Sequence, residues 1–148
     1  MDTNQSKVRV LVPTDGSECS LGAVRWALRD RASRAGTDYE IHLINVQPPL
    51  HREVTRFLRH DQVASFHRDE SAKAIDAAET LLRAAGAPCV VHAEVGPIGE
   101  TIADRADALG CDLIVMGTHG RAAIAGFLVG SVTVRTVHAA RVPVVLVK

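Results

Sequence analysis

An open α/β sheet with helices on both faces is the fold class this sequence predicts, and three observations predict it. Short runs rich in Val, Ile and Leu alternate along the chain with amphipathic helical stripes, the pattern of a βαβ series whose right-handed crossovers build a parallel sheet. Three of those runs, 8–12, 113–116 and 142–147, are nearly continuously apolar, as strands covered on both faces are. Glycines at 36, 86 and 110 and Pro97 fall where helices should stop and start.

Taken in order, the strands are expected at 8–12, 41–46, 89–95, 113–116 and 142–147. Leu21, Val24 and Leu28 stripe a first helix, Ile75, Ala78, Leu82 and Ala85 a second, and Ile98, Ile102, Ala106 and Leu109 a third. A fourth helix opens after Gly130-Ser131. The stretch 48–61, opening at Pro48 and closing near Asp61, matches no element, although Arg52, Arg56 and Arg59 are spaced to line one side of a short helix. Five strands and four helices in one domain, 1–148, is the reading.

A chain of 148 residues can bury roughly 70% of its unfolded surface without staples. Its 47% apolar and 23% charged residues are a globular composition, which excludes disorder. Seventeen basic residues balance seventeen acidic ones, so no whole-chain field draws it to nucleic acid or an anionic membrane. The N-terminal residues 1–7 are polar and lack a signal-peptide core, and no apolar run approaches the roughly 18 to 20 residues of a membrane span. Cys19, Cys89 and Cys111 are odd in number and form no CxxC, so neither a disulfide framework nor a zinc site is encoded. A cytoplasmic protein with no nucleic-acid and no membrane partner is expected.

Open α/β sheets bind ligands at the carboxyl ends of their strands. After the first strand comes Pro13-Thr14-Asp15-Gly16-Ser17. On spacing alone, Asp15 or Ser17 capping a helix and Gly16 serving a turn explains it, with a ligand site as the competing reading. After the fourth strand comes Gly117-Thr-His-Gly120-Arg121, running through Gly126 to Gly130-Ser131-Val132-Thr133. Here Gly117 and Gly120 permit unusual backbone conformations, and Gly130-Ser131 opens a helix whose amides attract an anion. That makes a phosphate cradle; the competing reading is that the glycines only shape a long loop, though a loop of about a dozen residues without structure is uncommon in a compact domain unless it is functional. It is not a P-loop, since no GxxxxGK[ST] occurs and the segment has no lysine. Phosphate charge would fall to backbone N–H groups, the Ser131 and Thr133 hydroxyls, Arg121 or His119, and a divalent cation.

The spacing Gly117-x2-Gly120-x9-Gly130-Ser131, the opening Val-Pro13-Thr14-Asp15-Gly16-Ser17 and the ending Arg141-Val-Pro143-Val-Val-Leu-Val147 together resemble the universal stress protein family, in its ATP-binding branch, over nearly the whole chain. The resemblance implies a five-stranded parallel sheet in the order 3-2-1-4-5, of the adenine nucleotide alpha-hydrolase-like type, which brings the two loops to one crevice. It implies a bound adenine nucleotide, ATP above all, with Mg²⁺ or Mn²⁺. Carried over position by position, Pro13, Thr14, Asp15 and Val46 surround adenine and ribose, while Met116, Gly117, Gly120, Gly130, Ser131, Val132 and Thr133 take the phosphate side. Asp15 also helps place the metal. No role carries over to His119 or to Ala122 through Val129. Members of that branch pair through the last strand, which implies a homodimer; Pro143 suits the start of such an edge.

Other features read as structural. The histidines, His51, His60 and His67 among them, match no zinc spacing and are expected at the surface. Cys19 is a small packing residue rather than a reactive thiol, and the insert's arginines form a solvated face. The expected function is a regulatory, stress-response nucleotide-binding module. A slow ATP hydrolase and a nucleotide-independent adaptor are the alternatives; the glycine loop shows no general base or water-positioning Glu, so any ATPase activity should be weak.

Overall fold

The computed structural model describes residues 6–120 and 129–148, so Arg121 and Gly126 lie outside the described residues. The element order is β1 (Lys7–Pro13), α1 (Glu18–Ser33), β2 (Asp38–Gln47), α2 (Arg52–Thr55), α3 (His60–Ala84), β3 (Cys89–Val95), α4 (Ile98–Ala108), β4 (Leu113–Gly117), α5 (Ser131–Ala139) and β5 (Val144–Val147). The strands form one sheet in the order β3-β2-β1-β4-β5, every pairing parallel. Lys7 pairs with Asp38 and Pro13 with Ile44 on one side of β1, while Val10 pairs with Leu113 on the other. The chain therefore builds outward in both directions from β1, and the loops after β1 and β4 leave the sheet side by side.

Period-two alternation sends β1 to two cores. Val10 and Val12 pack with Val24 of α1 and Ile75 and Leu82 of α3, whereas Leu11 packs with Ile102 and Ala106 of α4 and with Ile114. Val10, Leu11, Val12, Leu43, Ile44 and Ile114 are fully buried, each contributing about 1.5–3 kcal/mol by leaving water. Helix ends follow local chemistry. Ser17 caps α1 by accepting from the Ser20 N–H at 3.2 Å, and Gln62 Oε1 accepts from the Arg59 N–H at 2.8 Å at the head of α3. The chain leaves α1, α3 and α4 through Gly36, Gly86 and Gly110, at φ of +84°, +65° and +64°.

Several expectations are corrected. Five helices are described rather than four, the extra one being the single turn α2. Only Arg52 lies within α2: Arg56 is its C-cap and Arg59 precedes α3, so the three arginines do not line one helix. Helix α3 begins at His60, inside the stretch read as unassigned. Strand β5 begins at Val144, after Pro143, and is an edge strand whose Leu146 is exposed, so it is not covered on both faces. His67 is buried, not on the surface.

Candidate functional site

Where the two loops meet, the carboxyl end of the sheet opens into a cleft of about 770 Å³, a volume within the range of small-molecule sites. Pro13, Thr14, Asp15, Val46, Met116, Gly117, Gly120, Gly130, Ser131, Val132 and Thr133 all line it. The sheet order is what unites them, since strands β1 and β4 are distant in sequence and adjacent in space.

The β1 loop is tied down from several directions. Gly16 turns it at φ +82°, and Asp15 Oδ1 accepts the Ser17 N–H at 2.9 Å. Thr14 is 4% exposed. Its N–H donates to Ile44 O at 2.8 Å, and its carbonyl accepts from Asn45 Nδ2 at 2.8 Å, while Gln47 Nε2 donates to Asn45 Oδ1 at 2.8 Å. The capping reading of this loop is therefore realised in Ser17, and it coexists with Asp15 lining the cleft.

The β4 loop uses its glycines for room. Gly117, Gly120 and Gly130 do not have positive φ, which corrects the expectation that Gly117 and Gly120 serve unusual backbone conformations. A Cβ on Gly117 would stand 2.6 Å from Cys19 Sγ and 2.9 Å from the Cys19 carbonyl, one on Gly120 2.7 Å from Asp15 Oδ2, and one on Gly130 3.3 Å from Thr118 O. The absent side chains let α1, the Asp15 carboxylate and the two ends of the β4 loop close up. Cys19 packs on Gly117 and its thiol donates weakly to Val147 O at 3.7 Å, as a packing residue does.

Helix α5 enters with Gly130 as N-cap, so the cap residue itself brings no side chain to the first turn. The N–H groups of its first turn have no partner within the helix and carry its positive end. Thr133, 3% exposed, donates its hydroxyl proton to Gly117 O at 3.1 Å. Its role is to pin α5 to β4; the exposed Ser131 is the hydroxyl at this helix start that remains open to the cleft.

The structure adds residues that sequence reasoning missed: Asn45, Gln47, Glu70, Lys73, Ile98, Ile102 and Arg135 also line the cleft. Lys73 Nζ contacts Glu70 Oε1 at 2.9 Å, which raises the pKa of this exposed amine. His119 lines the cleft beside Thr118, its Nδ1 3.1 Å from Thr118 Oγ1.

The model of the universal stress protein family matches residues 8–148. The chain belongs to the universal stress protein family. Among its relatives, universal stress protein Rv1636 of Mycobacterium tuberculosis is 31% identical over 149 residues, covering 93% of this chain and 94% of the relative. Three other mycobacterial relatives are longer, and the chain spans 50% of their length. Among solved structures, protein MJ0577 superposes with a TM-score of 0.77 at 27% identity, covering 95% of both chains. A universal stress protein in complex with cAMP superposes at 0.67 and 26% identity over 95% of this chain and 97% of that one. A family member from Arabidopsis thaliana with AMP bound shares the fold at 0.65 and 18% identity, covering 95% and 91%. The family thus includes proteins that bind adenine nucleotides.

Proposed function

We propose that this universal stress protein binds an adenine nucleotide, ATP in the first instance, in the cleft between the β1 and β4 loops, and acts as a regulatory module with little or no hydrolysis. The observation that carries the reading is one cleft combining apolar walls from Val46, Ile98, Ile102 and Met116 with the N-terminus of α5, whose cap residue is Gly130. Apolar walls suit a base. First-turn amides and the Ser131 hydroxyl suit phosphate oxygens, and Arg135, exposed on α5 and lining the cleft, supplies a full positive charge. The relative with cAMP and the fold neighbour with AMP support the ligand class.

The described residues include no group of three or more His, Cys, Asp or Glu able to hold a metal ion. A Mg²⁺ or Mn²⁺ would therefore be held by phosphate oxygens with Asp15 as the protein carboxylate, the arrangement common for Mg²⁺. Bound there, it would neutralise phosphate charge. Asp15 and Glu70 are the carboxylates lining the cleft among the described residues. Asp15 Oδ1 accepts the Ser17 N–H and Glu70 pairs with Lys73, so neither is poised to activate a water, and turnover should be slow or absent.

We also propose the homodimer and the cytoplasmic setting. Leu146 on the edge strand β5 is exposed, and a second copy would cover it. Light scattering at micromolar concentration should give twice 15.8 kDa; a mass near 15.8 kDa would refute the dimer.

Melting curves in added Mg-ATP test the nucleotide reading. A ligand at 100 times its Kd adds about 2.7 kcal/mol to the native state. The shift should vanish in Gly130→Val, whose larger side chain meets Thr118 O and the chain at His119. No shift in the native protein would move the nucleotide-independent adaptor to first place.

A further inference from the structure

Helix α3 carries an apolar stripe, Ile75, Ala78 and Leu82, buried on the sheet. Continued toward its N-terminus at the same helical spacing, the stripe changes character to Ser71, His67, Val63 and His60. Beneath these residues lies a second cavity, an open groove of about 340 Å³ bordered on the other side by Ala93, Glu94 and Val95 of β3. It is separate from the nucleotide cleft, which takes Glu70, Lys73 and Ala74 from α3 instead.

Two observations mark this cavity as a site. His67 is only 8% exposed, and its Nδ1 is buried with no hydrogen-bond partner among the described residues. A buried imidazole nitrogen without a partner is unfavourable unless something else supplies one. The second is charge. Glu94, the acidic residue in the lining, is bound to Arg105, whereas Arg68 lines the cavity with no ion pair among the described residues. His60 and Ser71 add a further imidazole and a hydroxyl. Val63, Ala64, Ala93 and Val95 make the remainder apolar.

We propose that this cavity binds a small carboxylate with a short apolar body, the carboxylate facing His67 and Arg68 and the body lying against Val63 and Val95. An oxygen anion pairs with the Arg68 guanidinium beside the buried His67 imidazole, and contact of the body with Val63 and Val95 favours such a ligand over a bare inorganic ion.

Hexanoate is the probe, with acetate, hexanamide and inorganic phosphate as comparators, read by NMR at the His67 imidazole and at the Val63 and Val95 methyls of the full chain. Saturable shifts with hexanoate, and binding at least about tenfold weaker for each comparator, are expected. Arg68→Gln, an exposed substitution, should weaken hexanoate about tenfold. Ala93→Leu, which fills the cavity from β3, should abolish the response while leaving the melting shift with Mg-ATP intact. Equal responses to hexanoate and hexanamide would overturn the charge assignment. Equal responses to hexanoate and acetate or phosphate would overturn the apolar one, and no saturable response at His67 would overturn the site.

Discussion

After β1 the chain turns at Gly16 with φ of +82°, a backbone conformation that a side chain disfavours. After β4 it passes Gly117, Gly120 and Gly130 without positive φ; at Gly117 and Gly120 a neighbour occupies the place of the Cβ, and at Gly130 a Cβ would sit tightly against Thr118 O. One loop uses glycine for conformational freedom and the other for space. The difference teaches that a glycine-rich segment lining a cleft need not be contorted. In the β4 loop the missing side chains are what bring Cys19, Asp15 and Thr118 close enough to frame a cleft.

Substitutions separate the two uses. Gly117→Ala should be the most damaging, because its Cβ meets both the sulfur and the backbone of Cys19; overpacking of this kind costs about 1–3 kcal/mol, read as a lower denaturation midpoint. Gly16→Ala should cost about 1–2 kcal/mol by strain alone, and Gly16→Asn should recover part of that because Asn tolerates the left-handed region. Equal losses for Ala and Asn at 16 would mean that space, not conformation, decides there. Gly120→Ala displaces only the Asp15 carboxylate, a movable side chain. Its stability should change little while its Kd for Mg-ATP rises about tenfold, ~1.4 kcal/mol, by calorimetry.

A smaller effect lies away from both loops, between β2 and β3. His42 Nδ1 stands 2.9 Å from His92 Nε2, and His42 Nε2 2.6 Å from Glu40 Oε1. Burial, then the neighbouring His42 and Arg105, hold the His92 pKa below its ordinary 6.5. As pH falls the unfolded chain therefore takes up this proton first, and stability declines below about pH 6.5. Glu40, held low chiefly by Lys7, adds to the loss at lower pH as its carboxylate is protonated. Denaturant midpoints between pH 7.5 and 5 should fall, and His92→Gln should flatten that slope. An unchanged slope would remove His92 from the explanation.

Much of this was legible from one chain because strands and helices carry their periods locally. The runs at 8–12, 41–46, 89–95 and 113–116 all fall within strands of the structure, and the glycines at 36, 86 and 110 mark helix ends. The sheet order is not local information; it came from a resemblance, and periodicity alone could not have joined Asp15 to Gly120. Lys73, Glu70 and Arg135 were missed for the same reason, since nothing at mid-helix signals that its outward face borders a cleft. Asn45 was missed inside the run 41–46 read as a strand, and Gln47 just past the end of that run, although β2 reaches it. A polar pair interrupting the apolar end of β2 was the available signal. The start of α3 was hidden because its stripe turns polar at Ser71 and His67, where the core ends.

The proposal that the cleft between the β1 and β4 loops binds a nucleotide is tested most directly by denaturing the purified full chain, chromatographing what it releases, and titrating the stripped protein with ATP, ADP, AMP and cAMP with and without Mg²⁺. Released adenine nucleotide, or saturable binding weakened in Gly120→Ala and abolished in Gly130→Val, is the expected result. Stripped, folded protein that binds none of the four would contradict the nucleotide reading and leave the glycines as architecture that packs α1 and α5 against β4.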